Sequence, residues 1–126
     1  MKIILSVIGL LACSPAFAAW TAYDQTAATS EFFDAATVEK VGSTVRVWAM
    51  TNHHAALTNL EGKDLLSEKS LTTIDCSAKK IGAEIVMTFS GKDTTGTRLG
   101  NMETPLRLTP IKAGTSDAIL MNIVCR

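Results

Sequence analysis

The chain has 126 residues, with twelve basic and twelve acidic side chains and therefore a formal net charge of zero. This balance argues against nucleic acid as a partner, because binding a phosphate backbone requires clustered positive charge. A chain of this length, of which 47% is hydrophobic, is sufficient for one folded core.

Residues 1–18 have the layout of an export signal. Lys2 precedes an apolar run from Ile3 to Cys13, Ser14-Pro15 breaks that run, and small residues follow. The run is about half as long as a membrane-spanning helix requires, so we predict no transmembrane segment. The sequence therefore predicts an exported protein with one domain, residues 19–126.

Two processing sites compete within this leader. Leu10 to Cys13 resembles the lipidation site of a bacterial lipoprotein, whereas Ala16-Phe17-Ala18 is a small-x-small cleavage site. Lipidation of Cys13 would place the anchor very close to Trp20, which begins the first predicted strand. We therefore predict cleavage after Ala18 and a product in the periplasm or at the cell surface, with a lipid anchor at Cys13 as the alternative.

Apolar and polar residues of the domain alternate in the way that is typical of strands. This pattern predicts an α+β fold, with a single antiparallel sheet of about six strands and a C-terminal helix packed on one face. Strands are predicted at 20–24, 31–33, 44–50, 67–76 and 81–89, with weaker signals at 97–102 and 106–108. Asp34 is predicted to cap a helical turn, and polar residues 52–63 are predicted to form a loop.

Two of these strands carry face assignments. At 44–50, alternation puts Val45 and Val47 on one face and Arg46, Trp48 and Met50 on the other. Because both faces carry apolar bulk, we expect this strand to be central. The strand at 81–89 is predicted to place five apolar residues on one face: Ile81, Ala83, Ile85, Met87 and Phe89.

The last segment, 115–126, is ambiguous between strand and helix. Ser116 as a cap, Asp117 at the start and Arg126 at the end suit the helix dipole, so we predict a helix. Once the leader is removed, Cys76 and Cys125 remain, and in an oxidising compartment they most simply form one disulfide. Two free buried thiols are the alternative.

No motif in the sequence carries a catalytic mechanism. Residues 91–97 have the glycine spacing of a phosphate-binding loop, but Thr97 stands where the lysine is required. His53-His54 are interpreted as a solvated loop pair, because adjacent residues of an extended chain rarely ligate one metal ion. Since no nucleophile, base and orienting group stand out together, we predict a non-enzymatic protein without cofactor or metal.

Trp48 and four lysines remain as candidates for partner binding. Trp48 is interpreted as a half-covered sheet residue, with a ligand platform as the alternative. Lys69, Lys79, Lys80 and Lys92 lie on or beside the predicted central strands. They are interpreted as solvated surface, with a contact surface for an acidic partner as the alternative.

Considered together, the sequence signals follow one order along nearly the whole mature chain. After the export signal they are Trp20, Phe32-Phe33-Asp34, Gly42-Ser43, Val45-Arg46-Val47-Trp48, Ser67-Glu68-Lys69, Asp75-Cys76, Met87-Thr88-Phe89-Ser90-Gly91, Pro110-Ile111, Gly114-Thr115-Ser116 and Cys125. This order resembles the surface-adhesin protein E family of Gram-negative bacteria. The resemblance implies a single antiparallel sheet with a C-terminal helix held to it by a disulfide.

The resemblance also implies a function. The family's adhesin is a lipid-anchored surface protein that forms dimers and binds host extracellular-matrix and serum proteins. Its binding surface would correspond to the segment from Lys69 to Lys80. The candidate partner-binding residues are Lys69, Lys79 and Lys80 from this segment, together with Trp48 as the alternative ligand platform. We therefore predict an exported domain that binds a protein of the envelope or the host.

One alternative function stays open. A periplasmic domain of this architecture could hold a small apolar ligand between the sheet and the helix. The residues predicted to line that space are Ile81, Ile85, Met87, Ile119 and Ile123.

Overall fold

The computed structural model describes residues 19–59 and 61–126, so the leader and its two processing sites lie outside the described residues. This part of the chain forms a β-rich domain with one α-helix and two short 3-10 turns, at Ala35–Thr37 and Lys92–Thr94. The strands and the helix are β1 (Trp20–Gln25), β2 (Thr29–Asp34), β3 (Glu39–Val41), β4 (Thr44–Thr58), β5 (Asp64–Asp75), β6 (Lys80–Phe89), β7 (Arg98–Glu103), β8 (Thr109–Pro110) and α1 (Ser116–Val124).

The strands form one antiparallel sheet, in the order β1-β2-β4-β5-β6-β7. Two more short strands join this path, since β3 pairs with β4 and β8 pairs with β6. The predicted α+β fold is confirmed, with eight strands in the described residues rather than about six. The short β3 and β8 have three and two residues, too few for a hydrophobic alternation to mark them in the sequence.

Helix α1 packs on one face of the sheet and forms the core with it. The buried side chains of Leu120 and Val124 lie in one cluster with Val45, Val47 and Ile74 from the two central strands. The predicted inward face of β4 is therefore confirmed. Burying such side chains stabilises a domain by roughly 1.5–3 kcal/mol each, relative to full exposure.

The N-cap of the helix lies one residue earlier than predicted. Thr115, not Ser116, is the N-cap, and its Oγ1 accepts a hydrogen bond from the Ala118 backbone N at 3.3 Å. The Ser116 hydroxyl instead donates to Oδ2 of Asp24 at 2.6 Å. Both residue types cap well, so only the tertiary contact with β1 separates them.

The predicted disulfide between Cys76 and Cys125 is confirmed. The two Cα atoms lie 5.8 Å apart, and the bridge ties the end of α1 to the residue that follows β5. Both cysteines are half-buried against the core cluster. The bridge therefore holds the helix on the sheet, as its position in the sequence indicated.

A β-bulge in β6 changes which residues face the helix. Leu71 pairs with Ile85 and Thr72 pairs with Ala83, which leaves Glu84 as an extra residue between them. Because directly paired residues share a face, Ile85 lies on the opposite face from Ile81. The prediction of one common face for the apolar residues of β6 is therefore wrong.

The central hairpin is longer than predicted. Residues 52–63 were expected to form a loop, but β4 runs to Thr58 and β5 begins at Asp64. The connection is a tight turn in which the Asn59 side chain accepts hydrogen bonds from the backbone N of Glu61 and Lys63, at 3.0 and 2.9 Å. The polar residues of this stretch extend the sheet instead of leaving it.

The two histidines therefore lie on a strand, and their interpretation as a solvated loop pair is wrong. The His53 side chain is only 13% exposed, with Nε2 3.8 Å from a carboxylate oxygen of Glu68. The His54 ring forms hydrogen bonds with the Ser30 hydroxyl and the Ala27 carbonyl, at 2.9 and 3.0 Å. The two rings have different partners, which does not favour a shared metal ion.

Candidate protein-binding face

The face of the sheet opposite α1 carries a group of half-buried apolar side chains around one lysine. We call it the open face, and its residues are Phe32, Trp48, Lys69, Leu71, Ile85 and Met87. Strand pairing arranges most of them in two adjacent rows. One row is Trp48, Leu71 and Ile85. The next row consists of Lys69 and Met87 together with Met50, which is buried on the same side of the sheet, and Phe32 lies beside Met50.

Trp48 and Lys69 are in direct contact at the centre of this face. The Lys69 ammonium lies 5.4 Å from the centroid of the Trp48 ring, a cation–π arrangement. The two residues lie on β4 and β5, the longest strands, which are paired along most of their length. Strand pairing therefore holds the backbone of both residues in place.

A constrained loop borders one end of the open face. The Ser67 hydroxyl, buried on β5, donates to the Gly91 carbonyl at 2.5 Å and accepts from the Thr94 backbone N at 2.9 Å. Asp93 and Thr94 have φ values of 58° and 57°, in the left-handed region that is unfavourable for residues with a side chain. Since Ser67 already occupies one of the loop amides, the loop is not arranged as a phosphate cradle.

The other end of the open face has a shallow cavity of about 250 Å³. It contains the ion pair between Arg46 and Glu84, with 3.7 Å between Nη2 and Oε1. Glu84 is the extra residue of the bulge in β6, and its carboxylate reaches Arg46 on β4 across the intervening strand β5. Sequence reasoning missed this pair, because it depends on the register of three strands, which no local pattern predicts.

The other two candidate lysines lie elsewhere. Lys79 and Lys80 are exposed at the turn between β5 and β6, where Lys80 pairs with Asp75. Lys69 lies six residues before Asp75 on β5, a separation of roughly 20 Å at ~3.3 Å per residue. The structure therefore brings Trp48 and Lys69 together, and it places Lys79 and Lys80 at a separate basic end of the sheet.

A polar cavity of about 160 Å³ lies on the helix side of the sheet. Its lining includes Tyr23, Glu31, Thr51 and Asp117, and the Thr51 hydroxyl donates to Oε2 of Glu31 at 2.6 Å. Burial raises the pKa of the Tyr23 hydroxyl far above its usual value, and the Glu31 and Asp117 carboxylates add to the rise. Burial also raises the pKa of Asp117.

Within residues 19–59 and 61–126, the five residues expected to line an apolar space between sheet and helix do not come together there. Of the five residues expected to line it, only Ile81 borders the polar cavity. The bulge puts Ile85 on the open face, and Ile119 and Ile123 are 38% and 37% exposed on α1. The prediction that these residues enclose one ligand is therefore wrong.

Neither a metal centre nor a membrane-spanning helix is found in the residues that the structure describes. Within 19–59 and 61–126, no three His, Cys, Asp or Glu side chains are grouped so that they could hold a metal ion. In the same residues, no helix has the length and apolar character needed to cross a membrane.

Comparison with known proteins identifies the family. The family model described as "Surface-adhesin protein E" matches residues 20–126. This chain belongs to the surface-adhesin protein E family. Membership in this family supports an adhesin-type protein, fits an exported or cell-surface location and points to a non-enzymatic protein. Among curated proteins, none matches the chain in sequence.

Solved structures of protein E from Haemophilus influenzae share the fold. Crystal form II matches with a TM-score of 0.64 and 11% identity, covering 82% of this chain and 91% of that chain. The structure from non-typeable Haemophilus influenzae matches with a TM-score of 0.62 and 12% identity, covering 82% of this chain and 74% of that chain. At such low identity the match establishes the fold of this domain and nothing finer.

Proposed function

We propose that this domain is a non-enzymatic binding module that uses the open face to hold a protein partner. The observation that carries the proposal is the contact between Trp48 and Lys69 at the centre of a half-buried apolar surface. Tryptophan is enriched among the residues that dominate binding energy at protein interfaces. Aromatic residues and methionine are also enriched across such interfaces, and Met87 is part of the open face.

The shape of the open face favours a protein over a small molecule. Small ligands are usually enclosed in concave pockets, whereas these side chains lie in rows across the surface of β4, β5 and β6. A protein can cover several rows at once and remove Trp48, Leu71 and Ile85 from water together. Burying apolar area yields roughly 25 cal/mol per Å², so such coverage supplies a useful part of the binding free energy.

The partner we propose is a host extracellular-matrix or serum protein, or a protein of the bacterial envelope. Family membership as a surface adhesin supports the host protein. Export is part of the proposal, with residues 1–18 as the signal and the domain placed in the periplasm or at the cell surface. An acidic segment of the partner would complement Lys69, and Lys79 and Lys80 would add a second basic contact at the far end of the sheet.

Solid-phase binding tests the proposal, with laminin and vitronectin as probes and a membrane extract as the envelope probe. We expect saturable binding by the wild type and at least tenfold weaker binding by Lys69→Glu. The double variant Lys79→Glu/Lys80→Glu tests the second basic contact separately. Lys112→Glu is the matched control, because Lys112 is an exposed lysine in the loop before α1.

The outcomes separate the parts of the proposal. If Lys69→Glu and Lys112→Glu weaken binding equally, the loss is a charge effect unrelated to the open face. An absence of saturable binding to every probe would overturn the proposed function. Sedimentation of each protein, recorded alongside, shows whether the domain dimerises and whether a variant changes that state.

A further inference from the structure

The buried carboxylate of Asp34 lies beside the residue that would become the N-terminus after processing. Asp34 is 6% exposed at the end of β2, and its Oδ1 accepts a hydrogen bond from the Ala36 backbone N at 3.0 Å. In residues 19–59 and 61–126, the ion pairs are those of Arg46 with Glu84 and Lys63 with Glu61, His53 lies 3.8 Å from Glu68, and none of these contacts involves Asp34. A buried carboxylate without a cation is unfavourable.

The second partner of this carboxylate is the backbone N of Ala19, which lies 3.2 Å from Oδ1. Two further contacts fix this position. The Ala35 backbone N donates to the Ala19 carbonyl at 3.3 Å, and Trp20 pairs in register with Asp34. The backbone N of Ala19, at the predicted cleavage point, is therefore held against the buried carboxylate of Asp34.

We propose that cleavage between Ala18 and Ala19 creates a structural ion pair between the new α-ammonium group of Ala19 and Asp34. A signal peptidase of the exporting membrane would add water across this peptide bond, leaving a carboxylate on Ala18 and an ammonium group on Ala19. The neutral amide at 3.2 Å becomes a cation at the same place. A charge-assisted hydrogen bond of this kind is roughly twice as strong as a neutral one.

The position of the cut is specific. Moving the N-terminus by one residue displaces the ammonium group by roughly 3.5 Å, beyond direct contact with Asp34. Lipidation at Cys13 leaves the Ala19 nitrogen as an amide, so the ion pair does not form. The exported chain therefore gains this contact only when it has been processed, which makes the folded domain more stable after cleavage than before it. The inference rests on the export part of the proposed function and is independent of which partner the open face binds.

A four-protein comparison tests the ion pair. The full-length gene is expressed in a Gram-negative host as the wild type, as Asp34→Asn, with one serine inserted after Ala18, and with both changes. Asn caps a helical turn as well as Asp does, so Asp34→Asn retains the cap and removes only the charge. The inserted serine becomes the N-terminal residue and converts the Ala19 nitrogen into an amide.

The intact mass of the exported wild type is expected to correspond to residues 19–126 with one disulfide. Each single change is expected to lower the melting temperature by about 5 °C. The double change is expected to lower it no further, because both single changes remove the same ion pair. If the peptidase removes the added serine, acetylation of the α-amine of the wild type and of Asp34→Asn supplies the blocked forms.

Three results would overturn the inference. A mass that places a lipid on Cys13, or an N-terminus at another residue, would remove the ammonium group from this site. An insertion without effect on the melting temperature would show that the group is not paired. Fully additive losses in the double variant would show that Asp34 and the N-terminus act independently.

Discussion

Asn52 and Asp93, which are 41 residues apart in the chain, exchange two hydrogen bonds. The Asn52 side-chain amide donates to Oδ1 of Asp93 at 2.6 Å, and the Asp93 backbone N donates to Oδ1 of Asn52 at 2.8 Å. Asn52 is 7% exposed on β4, whereas Asp93 lies in the constrained loop at the end of the open face. The two hydrogen bonds hold Asp93 in a left-handed backbone conformation, which residues other than glycine rarely adopt.

Asn52→Ala is expected to destabilise the domain by about 2–3 kcal/mol. The substitution removes both hydrogen bonds of the exchange, each worth roughly 0.5–1.5 kcal/mol, and releases Asp93 from its left-handed conformation. The free energy of unfolding in urea measures the loss. Asn101→Ala is the matched control on the exposed strand β7, and we expect it to stay within about 0.5 kcal/mol of the wild type. Equal losses in the two variants would contradict the anchoring role of Asn52.

Gly82→Ala is expected to destabilise the domain by about 1–3 kcal/mol through a collision with the chain. A Cβ atom at Gly82 would overlap the backbone oxygen of Arg107, which cannot move without shifting the segment before β8. Gly100→Ala is the matched control, because a Cβ there meets only the Thr88 hydroxyl oxygen at 3.0 Å. Urea unfolding of both variants compares them. A tolerated alanine at position 82 would show that the 104–108 segment packs less closely than it does here.

Removal of the disulfide is expected to lower the free energy of unfolding by about 4 kcal/mol. Cys76 and Cys125 are 49 residues apart, and closing a loop of that length restricts the unfolded chain by this amount in the chain-entropy model. Cys76→Ala/Cys125→Ala, unfolded in urea beside the wild type, measures the loss. Near-ultraviolet circular dichroism then reports whether α1 still packs on the sheet. A loss below 1 kcal/mol would contradict a stabilising role for the bridge.

Asp75 is expected to contribute a pH-dependent stability at the turn before β6. Hydrogen bonds from the Ala78 backbone N and the Ser77 hydroxyl lower the pKa of the Asp75 carboxyl below its ordinary value of 3.8. A group whose pKa is lowered in the folded state stabilises the protein above its unfolded pKa, and this is lost as pH falls through the folded pKa. The stability difference between wild type and Asp75→Asn should therefore be constant at neutral pH and shrink below about pH 4. An NMR titration midpoint for Asp75 at or above 3.8 would contradict this.

Much of the fold could be predicted because strong local signals agree with tertiary packing. The alternation of Val45 and Val47 marked the inward face of β4, and the two mature cysteines indicated the bridge to α1. The bulge at Glu84 could not be predicted, since one unpaired residue shifts the period of β6 without changing the pattern of residue types. The ion pair between Arg46 and Glu84 could not be predicted either, because it depends on the register of β4, β5 and β6.

The polar residues after the predicted end of β4 show a second limit of prediction from the sequence. Asn52 was predicted to be in a loop because residues 52–63 are polar and contain a turn signal, but its amide is satisfied by Asp93 in the fold. Long-range partners of this kind leave no mark in the nearby sequence. For the candidate site, the sequence indicated Trp48 and Lys69, but only the strand register shows that they touch and that Lys79 and Lys80 do not join them.

We propose that Trp48 and its neighbours on the open face bind the partner. The most direct test is the dissociation constant for the probe that binds best, measured with the wild type, Trp48→Ala and Ile119→Ser. Ile119 is 38% exposed on α1, so it samples the opposite side of the domain. The claim predicts about thirtyfold weaker binding for Trp48→Ala, equivalent to the ~2 kcal/mol of an interface hot spot, and unchanged binding for Ile119→Ser. Unchanged binding by a folded Trp48→Ala protein would contradict it.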